Sequence, residues 1–117
     1  MTGQRHRALL LGCMASLLTA CVQGPRPLYY WGGYQTAVYD HFKAEGGPEK
    51  NIALLEKDRE AARSKGLPLP PGYHAHLGML YAETGQMERF VEEVQTEKAQ
   101  FPESGPYMDF LMRNLKP

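Results

Sequence analysis

The chain has 117 residues, 43% of them hydrophobic, with 13 basic side chains against 13 acidic ones, so it has room for one modest domain. Setting aside residues 1–20 as a predicted export signal leaves 97 residues with 11 basic and 13 acidic side chains, a net charge of −2. That balance excludes the dense cationic surface on which nucleic-acid binding depends, and no reaction signature stands anywhere in the sequence.

Arg5, His6 and Arg7 supply a positive start, and residues 8–18 form an apolar stretch too short for the about 20 residues that a bilayer span needs. The stretch ends in Leu18-Thr19-Ala20-Cys21, which resembles the lipobox of bacterial lipoproteins: an apolar residue, two small ones and a cysteine. The resemblance implies cleavage before Cys21 and a diacylglycerol on its sulfur, with a further acyl chain on the new amine. Each buried methylene contributes about 0.8 kcal/mol, so two or three chains on Cys21 attach the protein to a membrane with no transmembrane helix. Val22, standing where a retention signal would place Asp, implies by the same resemblance the periplasmic face of the outer membrane. With Cys13 in the leader and Cys21 in the lipid, the folded part has no thiol and no disulfide, and its core alone must hold it together.

The mature chain then divides into a lipidated tether, 21–28, and a domain, 29–117. Pro25 and Pro27 make the tether extended, about 3.1 Å per residue and roughly 20 Å in reach. Next comes Tyr29-Tyr30-Trp31-Gly32-Gly33-Tyr34, whose glycine pair resists a helix. Tyr29, Tyr30, Trp31 and Tyr34 are the candidate partner-binding residues. Aromatic side chains with a polar handle suit a docking surface and the half-buried lid of a core equally, and a membrane-interface belt is a third use.

Residues 35–45 read as a helix with Val38, Tyr39 and Phe42 as its apolar stripe, stopped by Gly46-Gly47 before Pro48 opens the next. Residues 49–65 place Ile52, Leu55 and Ala62 on one face, and Glu56, Lys57, Asp58, Arg59 and Glu60 on the solvated side. Gly66 ends that helix and the proline-rich link 67–72 cannot continue it. Residues 73–84 carry Leu77, Leu80 and Tyr81 inward. Residues 86–101 carry Met87, Phe90, Val91, Val94 and Phe101 inward, against Glu88, Glu92, Glu93 and Glu97 outside. Pro102 ends that helix, and Pro106 starts a short last one in which Tyr107, Phe110 and Leu111 share a face. No strand alternation appears, so the expected fold is all-α, with about five helices.

Leu77-Gly78, Tyr81, Gly85, Phe90, Val94 and Pro102 together resemble the tetratricopeptide signature, in which a small residue lets two helices approach and an aromatic fills the gap. Phe90 and Glu97 depart from it where small residues are usual. Val38, Phe42 and Gly46 repeat the Leu77, Tyr81, Gly85 spacing at an offset of 39, as a degenerate copy. Two unrelated helical hairpins in a small bundle are the other reading. About three repeats are normally needed for stability, so either the aromatic segment 29–34 or a partner subunit should cover the remaining surface.

The lipobox, the 29–34 segment, the Pro71-Gly72-Tyr73-His74-Ala75-His76-Leu77-Gly78 stretch and the Phe101-Pro102-Glu103-Ser104 to Met108-Asp109-Phe110-Leu111 ending look like a family of bacterial lipoproteins known as domain of unknown function 4810. The resemblance implies a component of an envelope assembly, encoded beside a lipoprotein similar to the curli secretion channel. It carries over no catalytic residue.

Other chemistry is weakly represented. His74 and His76 point about 200° apart on a helix and cannot chelate together there. With no cysteine and no HExxH spacing, neither a metal site nor any other cofactor is expected. The glutamates 83, 88, 92, 93 and 97 follow the period of a solvated face. Gly46-Gly47-Pro48-Glu49-Lys50 lacks the phosphate-loop spacing, and Ser64 and Ser104 lack a nucleophile elbow. The expectation is therefore a lipid-anchored interaction or assembly module holding an envelope protein, not an enzyme, with oligomerisation left open. The alternatives are a small periplasmic enzyme or accessory hydrolase using His74 or His76, and a purely structural spacer.

Overall fold

The computed structural model describes residues 2–4 and 24–115, so most of the predicted export signal, together with the predicted lipobox and Cys21, lies outside the described residues. From Tyr34 onward the described chain is helical and without strands: α1 (Tyr34–Lys43), α2 (Gly47–Lys65), α3 (Tyr73–Glu83), α4 (Met87–Gln100), a 3₁₀ turn (Pro102–Ser104) and α5 (Gly105–Asn114). Glycine and proline set these boundaries. Pro48 and Pro106 occupy first-turn positions, where a missing N–H costs nothing, and Gly66 closes α2 at a left-handed φ of 63°.

Each helix packs chiefly on its neighbours in the chain, and the α3–α4 pair has the most extensive contact. Gly78 is what allows that closeness: a Cβ there would lie 3.3 Å from the Glu93 Cβ and 3.4 Å from the Phe90 carbonyl oxygen. Around this pair sits the core of Leu55, Tyr73, Leu77, Leu80, Tyr81, Phe90, Val94 and Met108. The Tyr73 hydroxyl, deep inside it, donates to the Leu55 carbonyl, and burial pushes the phenol up to about 12.

Four expectations from the sequence need correction. On α1, Tyr39 and Phe42 face solvent and Ala37 is the fully buried residue. The reason is the close passage of α2: Leu54 packs over Gly33, and the Asn51 amide reaches 3.5 Å from the Ala37 carbonyl, so only the small-residue side of α1 fits there. On α5, Gly105, Met108 and Leu111 turn inward, whereas Tyr107 and Phe110 stack on each other outside, 6.2 Å apart. The 39-residue copy fails in packing, because Tyr81 is fully buried and Phe42 is 83% exposed. Finally, Asp58, Glu93 and Glu97, expected on wet faces, are all buried.

Candidate functional site

The three buried carboxylates survive burial because each meets donors, without which an ionised carboxylate would be strongly destabilising. Asp58 Oδ2 accepts the Gly33 backbone N–H at 2.6 Å and so fastens the start of α1 to α2. Gly32 is held there at a left-handed φ of 44°, and a Cβ on it would lie 2.5 Å from the Asp58 carboxyl carbon. Glu97 reaches from α4 to the start of α3, accepting the Gly72 N–H at 2.6 Å and the Ala75 N–H at 3.4 Å. It thereby satisfies donors that open a helix unpaired, at the positive end of the dipole. Glu93 is shared between helices: Arg59 of α2 donates to Oε1, and the His74 Nδ1 lies 2.6 Å from Oε2. Burial works to raise the Glu93 carboxyl, but the hydrogen bonds from His74 and Arg59 outweigh it and hold the group below the ordinary range.

The aromatic segment folds back onto this framework. Tyr29 meets Phe101 edge-on at 6.3 Å and Trp31 at 6.4 Å, and Trp31 stacks on Tyr34 at 6.2 Å. Tyr34 continues inward to Tyr73 at 6.1 Å and His76 at 6.2 Å, and its phenol is raised by burial and by the Glu97 charge. The Tyr30 N–H donates to the Pro68 carbonyl at 2.8 Å, and the Lys65 ammonium lies 5.0 Å from the Tyr30 ring centre. Of the four predicted binding residues, Tyr29, Tyr30 and Tyr34 are thus half-buried parts of the fold, and Trp31 remains 46% exposed.

Between α2, the 67–69 loop, α4 and Tyr29 opens a cleft of about 580 Å³. Tyr29 and Phe101 give it an aromatic lining, Arg59, Arg63, Thr96 and Gln100 a polar one, and the buried His74 and Glu93 lie at its floor. That volume falls within the range of small-ligand and short-peptide sites. Arg63, whose near partner is the exposed Glu60 at 3.3 Å, is free to turn toward an occupant. The sequence reading missed the cleft. One signal was present: Glu93 and Glu97 lie at helical spacing with Phe90, Val94 and Phe101, so the inner stripe of α4 carries its own charges.

The two histidines part company, as their spacing on α3 requires. His74 turns toward Glu93 and the cleft, whereas His76 packs between Tyr34 and His41, with its Nε2 buried and unpartnered. Among the described residues, no cluster of three or more His, Cys, Asp or Glu side chains is placed to hold a metal. No described helix is long and apolar enough to cross a membrane.

A family model described as a domain of unknown function (DUF4810) matches residues 28–111. Neither a curated protein nor a solved structure matches the chain.

Proposed function

Because that match covers well over half of the residues, the chain belongs to the DUF4810 family, and, as its description carries no activity, we propose that the protein is a lipid-anchored interaction module of the bacterial envelope. In this reading Cys21 carries the lipid, the domain faces the periplasm from the outer membrane on a short tether, and the helices form a tetratricopeptide-like scaffold. The binding site is the cleft. The single observation that carries the reading is its two-sided lining: Tyr29 and Phe101 offer an apolar seat, and Arg63, Thr96 and Gln100 offer polar contacts beside it. Such a pairing fits an extended protein segment that presents one apolar side chain and one acidic or amide group, the arrangement of aromatic anchor and polar rim common to protein interfaces.

The first partner to test, on family resemblance alone, is the lipoprotein similar to the curli secretion channel. Photo-crosslinking residues placed at positions 29 and 100 in living cells, with position 88 as a control remote from the cleft, should give adducts at the first two only. An added Gln100→Arg change should remove the adduct at 29. Equal adduct formation at all three positions would remove the cleft from the proposal.

One observation favours a second, catalytic reading. The His74–Glu93 pair at the floor of the cleft has the geometry of a general base steadied by a carboxylate. A hydrolase of this kind would lose at least about 100-fold in turnover on His74→Gln, whereas the interaction module would keep its adduct at position 29.

A further inference from the structure

We propose that the outward face of α1, with Tyr39 and Phe42, and the exposed Leu28 and Trp31 that precede it lie on the surface of the bilayer that holds the lipid anchor. The inference rests on the attachment through Cys21 proposed above. Four of the seven large apolar side chains exposed among the described residues fall within residues 28–42. They begin where the tether ends, and Phe42 is the most exposed of all at 83%.

The tether decides what covers this face. Leu28 stands seven residues beyond Cys21, and seven steps of about 3.1 Å reach roughly 20 Å. Leu28 is therefore always within that distance of the glycerol backbone. The ten residues of α1 extend a further 15 Å or so at ~1.5 Å per residue. The bilayer is a permanent neighbour at high effective concentration, and a weak interfacial preference is then enough to fix orientation. Tyr107 and Phe110, the other exposed pair, belong to α5 and are under no such constraint.

The chemistry of the face agrees. Trp and Tyr settle at the headgroup level of a membrane, and Phe and Leu reach just below it. Lys43, whose ammonium lies 5.7 Å from the Tyr39 ring centre, can carry its charge up to lipid phosphates along its flexible stem. Of the nearby acids, Asp40 turns to Lys50 and Glu83 to His41, each at 3.7 Å, while Glu45 and Glu49 are exposed beyond that end of the helix. No residue of α1 lines the cleft.

Trp31 is the sole tryptophan of the chain, which makes the test direct. The protein is extracted from its native membranes, weighed to establish acyl chains on Cys21, and reconstituted into phosphatidylethanolamine–phosphatidylglycerol liposomes carrying a doxyl quencher high on the acyl chain. Trp31 emission should shift to the blue and fall about twofold with the quencher, as expected for an interfacial ring. The combined Tyr39→Ser and Phe42→Ser variant, both changes being at exposed positions, should keep its thermal midpoint and lose most of that quenching. An acylated, reconstituted protein whose Trp31 is not quenched overturns the inference and leaves the anchor standing. Quenching equal in the double variant also overturns it, as does capture of a protein at position 42 with Trp31 unquenched. An unacylated Cys21 in the native product removes the anchor reading and this proposal with it.

Discussion

Glu97 shows how much one side chain can decide in so small a core. It is 2% exposed, and its two oxygens serve two backbone N–H groups at the start of α3. Glu97→Ala would leave both donors buried and unpaired beside a void, with an expected loss of about 2–4 kcal/mol in urea unfolding. Glu97→Gln keeps the shape and one acceptor oxygen for the Gly72 N–H but turns its amide nitrogen toward the Ala75 N–H, so it should lose less than Glu97→Ala; an equal loss from both variants would show that one retained hydrogen bond is not enough to hold the site. His76 works in the opposite sense, because its surroundings on balance disfavour protonation. Burial, the first cause, and the neighbouring His41 bring its ring down from 6.5 to about 4, against a small opposing pull from the Ala37 carbonyl. Facing it are Tyr34 and His41 of α1, and His41 in turn lies 3.7 Å from Glu83 of α3. Between those two values the unfolded chain carries the extra proton, so stability rises with pH across the window. It is complete above pH 6.5 and declines as the pH falls toward 4, by roughly 3 kcal/mol for the full shift. Replacing the ring by His76→Leu should flatten this stretch of the pH–stability curve, and an unchanged slope would assign the acid sensitivity to other groups.

At the scale of the element, the join between the aromatic segment and α1 is the most exacting. Gly32 combines a left-handed backbone with a Cβ position only 2.5 Å from the Asp58 carboxyl, whereas Gly66, also left-handed, has open space around it. Gly32→Ala should therefore cost about 1–3 kcal/mol and expose residues 29–33 to limited proteolysis, while Gly66→Ala should cost about 1 kcal/mol and leave that segment protected. The same contrast explains what the sequence made legible. Element boundaries were readable because glycine and proline act through the backbone, whose sterics are local: α2 ends before Gly66 and α4 before Pro102 as the punctuation predicts. Helix faces were readable for α3, for the apolar part of α4 and for Ile52, Leu55 and Ala62 of α2, all helices with partners on both sides. In α1 the buried contact is made by Gly33 and Ala37, residues that carry almost no hydrophobic signal, while the conspicuous Tyr39 and Phe42 stay outside. The cleft was illegible for a related reason. Arg59 of α2, His74 of α3 and Glu93 of α4 meet only because three helices converge, and no local spacing encodes that meeting.

Across the whole molecule, sequential packing makes the stability uneven. A stack in which each helix touches mainly its chain neighbours gains its stability from nearest-neighbour interfaces, and its end elements have one such interface where inner ones have two. Here the inner α3–α4 pair also holds the largest buried side chains and the Glu93 and Glu97 hydrogen bonds, while α1 buries fully only Ala37. Local opening should follow this gradient. Hydrogen exchange read by mass spectrometry is expected to be slowest in residues 73–100, faster in α5 and fastest in α1, with the α1 amides opening at a free energy at least about 2 kcal/mol below the global value. Uniform protection from α1 to α5 would mean that the outer helices are bound into one cooperative unit, and the nearest-neighbour picture would have to be abandoned. The gradient also bears on the proposed bilayer contact. A helix that opens easily in solution gains most from a surface that covers it, so protection in α1 should rise when the acylated protein is placed on liposomes, while protection in α3 and α4 stays as it was.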